Sequence, residues 1–203
     1  QFPIFIEMQG GKDEDDDGKL YVDHIDIYTE TDLLTLPKKE DFPACPISPY
    51  ALSKYAGERY CQIFYRIYGL PTICLRYFNV FGPFQNPDSE YSAVIPRFIK
   101  AFLSEEKPII YGDGSQSRDF TFVENVVSAN LLAAGSEKGN GEVVNIACGN
   151  ETSLNDLVGI LQEISGKEID AVYKEARLGD VIHSSADISK AETMLEYKSV
   201  IDI

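Results

Sequence analysis

Apolar and polar residues succeed one another in blocks along this chain, and from Leu36 onward the blocks predict a regular series of helices and strands. Ser48 suits a helix N-cap and Pro49 the first helical position. Leu52, Ala56, Ile63 and Ile67 recur on related faces of the helix beyond them, and Gly69 with Pro71 stops it. Residues 71–78 are then mostly apolar, the pattern of a strand buried in a parallel sheet. A loop with Gly82, Pro83 and Pro87 leads to a helix over about 93–103, and a strand over 108–111 precedes the turn Gly112-Asp113-Gly114. Residues 118–123 predict a strand, 124–134 a helix and 143–147 another strand. Thr152-Ser153 caps a helix over about 154–164 that Gly166 ends, succeeded by a strand over 169–173 and a short helix over 188–195. No internal repeat interrupts this order. Such alternation predicts an α/β fold with a mainly parallel sheet.

Residues 1–35 read differently. Gln9-Gly10-Gly11-Lys12 leads into Asp13-Glu14-Asp15-Asp16-Asp17, and residues 20–28 alternate roughly as a strand would. The acidic run reads as a solvated loop, since nothing in it arranges carboxylates around an ion. The 203 residues are enough to bury a sizeable core, and 44% hydrophobic content is ordinary for a globular protein. Thirty-three acidic against 18 basic residues give a formal net charge of −15, which argues against a nucleic-acid or anionic-membrane surface. No apolar run approaches the roughly 18 residues that a membrane span needs. Cys45, Cys61, Cys74 and Cys148 are widely spaced, which fits free thiols in a reducing cytoplasm better than a disulfide framework. His24 and His183 lack a paired spacing, so no metal site is expected.

Candidate chemistry enters with Ser48-Pro49-Tyr50-Ala51-Leu52-Ser53-Lys54. One helical turn puts Tyr50 and Lys54 on the same face. An ammonium beside a phenol favours the phenolate, so Tyr50 could accept a proton well below the free value of about 10. That spacing is common on ordinary helices and takes its meaning from the downstream motifs of the chain. These are Leu75-Arg76-Tyr77-Phe78-Asn79-Val80-Phe81-Gly82, Ala93-Val94-Ile95-Pro96, Gly112-Asp113-Gly114-Ser115-Gln116-Ser117-Arg118-Asp119-Phe120 and Arg177-Leu178-Gly179-Asp180-Val181. In this order and spacing the chain resembles the NAD-dependent epimerase/dehydratase family of extended short-chain dehydrogenases/reductases. Within it, the resemblance is greatest to the UDP-sugar 4-epimerases, including those acting on N-acetylhexosamines. It runs from about Leu36 to the C-terminus.

The resemblance implies a partial Rossmann-like fold, doubly wound around a mainly parallel sheet, with a small α/β substrate-binding C-terminal region. It divides the chain into an atypical segment over 1–35, the later part of an NAD-binding domain with interleaved substrate-binding segments over 36–147, and a substrate-binding region over 148–203. It also implies NAD as cofactor and a UDP-hexose as substrate, epimerised at C4 through a 4-keto sugar. Tyr50 is then the expected base, while Lys54 lowers its pKa and binds the nicotinamide ribose. Tyr77 and Phe78 are expected beside the nicotinamide, or else as core aromatics, and Asn79 on the substrate. Arg118 and Arg177 are expected to clamp the diphosphate, because guanidinium forks match phosphate oxygens. A surface ion pair is the ordinary role of either arginine taken alone. Asp180 is expected on a ribose hydroxyl, Val94 near the uridine and Gln85 facing the sugar, whereas Asp119 is read as ordering its own loop. A homodimer through the helix starting near Tyr50 completes the expectation.

Two departures qualify it. A Gly-x-x-Gly-x-x-Gly or Gly-x-Gly-x-x-Gly turn, which lets a pyrophosphate reach a helix N-terminus, is not found, and Gly10-Gly11 is succeeded by charges. Where a serine-rich strand end is expected, the chain reads Ile25-Asp26-Ile27-Tyr28-Thr29-Glu30-Thr31, so the hydroxyl partner of the substrate is not identified. The chain is therefore expected to be N-terminally truncated and to stop before the family's last helix. A nucleotide-sugar 4,6-dehydratase would add an Asp-Glu pair after a threonine, and here Thr31-Asp32 precedes Leu33. A third reading is a catalytically inactive fragment without the phosphate loop.

Overall fold

The computed structural model describes residues 37–44, 46, 49–88, 93–176 and 182–203. The alternating stretch over 20–28, the helix start at Ser48, and Cys45 and His24 lie outside them. The helix that Pro49 opens is α1 (Pro49–Tyr68), and after it come β1 (Cys74–Tyr77), β2 (Val80–Phe81), α2 (Val94–Leu103) and β3 (Ile109–Tyr111). Next are β4 (Ser117–Arg118), β5 (Thr121–Phe122), α3 (Val123–Gly135), β6 (Val143–Ile146) and β7 (Thr152–Ser153). The chain continues through α4 (Leu154–Ser165), β8 (Val172–Lys174), β9 (His183–Ser184) and α5 (Ser189–Leu195). The fold is mixed α/β with parallel pairing, as the alternation predicts.

β1 runs parallel to β6, from Cys74 opposite Val143 to Tyr77 opposite Ile146. β2 pairs in parallel with β5, and β3 with β8. β4 lies between antiparallel β7 and parallel β9. Parallel neighbours need crossovers rather than tight turns, and the intervening helices supply them. All four residues of β6 are buried: Val143, Val144 and Ile146 are core hydrophobics, and the amide of Asn145 donates to the Lys38 carbonyl at 2.9 Å. Ile73, Val144 and Ile146 pack against Ala129 and Ala133 of α3 and Ala191 and Leu195 of α5. A second cluster joins Phe98 and Phe102 of α2 to Ile110, Phe120, Leu157 and Val158. Each fully buried side chain of this size contributes about 1.5–3 kcal/mol.

Three departures from the sequence pattern have local causes. The strand expected over 118–123 breaks at Asp119-Phe120, because the Asp119 side chain turns inward and β4 and β5 enter different sheets. Val80-Phe81 forms a strand where a loop is expected, held by β5. The third concerns α1: Leu52, Ile63 and Ile67 are exposed, whereas Ala51, Lys54, Glu58 and Cys61 face inward. The inward stripe is polar because β1 presents Arg76 to it, and Glu58 pairs with that arginine. Among the described residues, no helix is long and apolar enough to cross a membrane.

Candidate active site

Tyr50 and Lys54 sit one turn apart at the start of α1, with the Lys54 Nζ 5.2 Å from the centroid of the Tyr50 ring. Lys54 is 5% exposed, so its ammonium acts on the phenol with little screening by water. The helix is anchored beneath this pair. Arg76 of β1 donates Nε to Glu58 Oε2 at 2.7 Å and Nη2 to Oε1 at 2.9 Å. Its Nη1 donates to the Glu40 carbonyl at 3.3 Å, and the Glu40 carboxylate accepts the Asn145 N–H of β6 at 2.9 Å. The segment that precedes α1 is thus tied to the same two strands.

The chain leaves β1 through Tyr77, Phe78 and Asn79, at the carboxyl end of a parallel strand, where open α/β sheets bind ligands. The Tyr77 hydroxyl donates to Asn130 Oδ1 at 3.0 Å, and Phe78 packs with Ala147 and Ala186. Both aromatics are therefore built into the interior. Asn79 has φ 33°, in the positive-φ range where asparagine is enriched among non-glycine residues. Its Nδ2 is buried and lacks a hydrogen-bond partner among the described residues. Its carbonyl accepts the Thr121 N–H at 3.2 Å, which sets Asn79 beside the chain three residues after Arg118.

Arg118 closes β4, half-buried, and its Nη1 donates to the Ser117 carbonyl at 2.8 Å and the Ile182 carbonyl at 3.3 Å. Ile182 adjoins the segment carrying Arg177 and Asp180, both of which lie outside the described residues. Glu151 staples the strands around Arg118, accepting from Ser117 Oγ and from Ser185 Oγ at 2.8 Å. Asp119, fully buried, accepts the N–H groups of Cys148 at 2.8 Å, Gly149 at 3.0 Å and Ala186 at 3.3 Å. Burial outweighs these three donors and pushes its carboxyl up to about 6. Asp119 thus ties its own loop to the ends of β6 and β9. Gln85 closes the loop after β2, donating to the Val80 carbonyl at 3.0 Å and accepting the Gly82 N–H at 3.3 Å. Val94 opens α2 and packs, half-buried, on the second core cluster.

Two residues important to this arrangement were not singled out by sequence reasoning. Arg76 is a charge inside a largely apolar strand, and such a charge needs a buried partner. Glu58 is that partner, and its place two turns after Tyr50 was the available signal.

A tyrosine–lysine pair at the start of a helix docked to a parallel sheet, with an asparagine and an arginine at neighbouring strand ends, places the candidate residues in an α/β architecture. The sequence profile of the NAD dependent epimerase/dehydratase family matches residues 27–147, more than half of the chain, and the chain belongs to that family. The UDP-glucose 4-epimerase of Thermotoga maritima, solved with UDP-glucose, is 42% identical with a TM-score of 0.78, over 83% of this chain and 53% of that one. The UDP-N-acetylglucosamine 4-epimerase of Methanobrevibacter ruminantium M1, solved with UDP-N-acetylmuramic acid, is 44% identical with a TM-score of 0.78, over 82% of this chain and 53% of that one. The UDP-glucuronic acid 4-epimerase of Bacillus cereus, solved with UDP-glucuronic acid and NAD, is 35% identical with a TM-score of 0.72, over 80% and 51% respectively. This chain spans about half the length of these relatives.

Proposed function

We propose that this chain carries the acid–base and substrate-binding part of a UDP-sugar 4-epimerase. The observation that carries the reading is the buried Lys54 ammonium set 5.2 Å from the Tyr50 ring, on a helix docked to the ligand-binding end of the sheet. Three relatives of known structure, all 4-epimerases crystallised with UDP-sugars, support the substrate class.

Tyr50 takes the proton of the sugar C4 hydroxyl and later returns one. Lys54 favours the phenolate and offers a hydrogen bond to a ribose hydroxyl, a donor set that fits the nicotinamide end of a dinucleotide. NAD, when bound, supplies the hydride acceptor and donor at C4. Asn79, with its orphaned buried amide, donates to the sugar. Arg118 holds a diphosphate oxygen from β4, Arg177 is the second arm of that clamp, and Asp180 binds a ribose hydroxyl. Val94 borders the uracil, and Gln85 holds the sugar-facing loop in shape. Tyr77 and Phe78 form the floor against which the nicotinamide rests. The outward stripe of Leu52, Tyr60, Ile63 and Ile67 on α1 suits a second copy of the chain, giving a homodimer. Three free cysteines among the described residues, Cys61, Cys74 and Cys148, suit a reducing cytoplasm.

The test is calorimetric titration with UDP-glucose and with UDP-N-acetylglucosamine, in the presence of NAD, for the wild type and R118Q. Saturable binding that R118Q weakens at least tenfold is expected. Equal affinity in the two proteins would remove Arg118 from the diphosphate site.

A further inference from the structure

The geometry points to Arg76 as a positioning residue that occupies Glu58 and so keeps it from drawing Lys54 away from Tyr50. This inference rests on the reading of Tyr50 and Lys54 as the acid–base pair. Tyr50, Lys54 and Glu58 succeed one another at four-residue intervals and so line one stripe of α1. Lys54 and Glu58 are both buried, where attraction between an ammonium and a carboxylate is weakly screened. Glu58 is thus the natural competitor of Tyr50 for the lysine.

Arg76 removes that competition by engaging both carboxylate oxygens in a fork, at 2.7 and 2.9 Å. Its remaining contact to the Glu40 carbonyl holds the guanidinium from the other side. Two thiols also border the pair: Cys74 lies 3.8 Å from the Glu58 carbonyl, and Cys61 interacts with Cys74. Burial, then Cys61, pushes the Cys74 thiol far up, so it stays neutral and leaves the charge balance to Glu58, Arg76 and Lys54. A lysine at position 76 would keep the charge but lose the fork, leaving one Glu58 oxygen open to Lys54.

The test reads the Tyr50 pKa directly, by tyrosinate absorbance titration with Y50F subtracted in each background. R76Q is expected to raise it by about one unit or more, and R76K by a smaller amount despite its unchanged charge. The double variant E58Q/R76Q is expected to return it to the wild-type value, because the competitor is gone. A purely structural ion pair predicts no shift in R76K and no recovery in the double variant, and either result overturns the inference. Should R76Q fail to fold, R76K and E58Q/R76Q still decide it. A wild-type Tyr50 that titrates at its ordinary value overturns the acid–base reading itself. A lowered wild-type value that no variant moves overturns this inference alone.

Discussion

Replacing Asp119 with asparagine should cost stability at low pH and cost less as the pH rises. The neutral acid can still accept three backbone N–H groups, because its hydroxyl oxygen keeps a lone pair. Asparagine has one oxygen. Placed where Oδ2 now sits, that oxygen keeps Gly149 and Ala186, and the amide NH2 then meets the Cys148 N–H that Oδ1 accepts at 2.8 Å. One bond is lost and two buried donors face each other, a cost of about 2–4 kcal/mol. The wild type carries its own cost at higher pH. Its carboxyl is pushed from 3.8 to about 6 in the folded state, so the folded protein holds a proton that the unfolded chain has released. That stabilisation is complete below 3.8 and is lost as the pH rises through about 6, by about 3 kcal/mol in all. Roughly one unit of this window lies between pH 5 and pH 7, so the deficit of D119N should shrink by about 1 kcal/mol over that range. Paired urea denaturation of wild type and D119N at both pH values measures this, since all other titrations cancel in the difference. A deficit that does not change with pH would refute the argument. One that grows would show that the three N–H donors outweigh burial and hold the carboxyl below 3.8.

Gly114 has φ 80°, and a Cβ there would meet Asn155 Oδ1 at 2.1 Å, so G114A should lower stability by about 1–3 kcal/mol in a thermal melt. Asn125 donates to the Ile201 carbonyl at 2.6 Å and accepts the N–H groups of Val200 and Ile201 at 3.1 and 3.2 Å. N125A should therefore cost about 2–4 kcal/mol and make the C-terminal tail more susceptible to carboxypeptidase, as read by mass spectrometry. Ser153 and Asp156 form a capping box on α4, and S153A should cost about 1 kcal/mol in denaturant unfolding.

The sequence reads best where a local rule and the tertiary environment agree. α4 is legible at both ends, from Ser153 with Asp156 at its start to left-handed Gly166 at φ 66°. β6 is legible because the short, mostly apolar stretch Val143-Val144-Asn145-Ile146-Ala147 is rich in β-branched residues and follows Gly139 and Gly141. β2, β7 and β9 are two residues each, too short for any period to register, and exist because neighbouring strands hold them. The rotation of α1 is illegible for a different reason. Its apolar residues argue for one buried face, and the Glu58–Arg76 pair, a contact across 18 residues, chooses another. The same contact decides where Lys54 lies. Among the proposed site residues, Tyr50 and Lys54 are readable only when their spacing is taken together with the downstream motifs, whereas the left-handed backbone at Asn79 and the strand-end setting of Arg118 emerge only when β2, β4, β5 and β9 are assembled.

The most direct measurement is proton NMR of UDP-glucose incubated with the protein and NAD, tracking the appearance of UDP-galactose for the wild type and Y50F. The account predicts interconversion by the wild type and a loss of about a hundredfold or more in Y50F, the usual contribution of a positioned acid–base group. Interconversion at the same rate in both proteins, or none by the wild type, would contradict it.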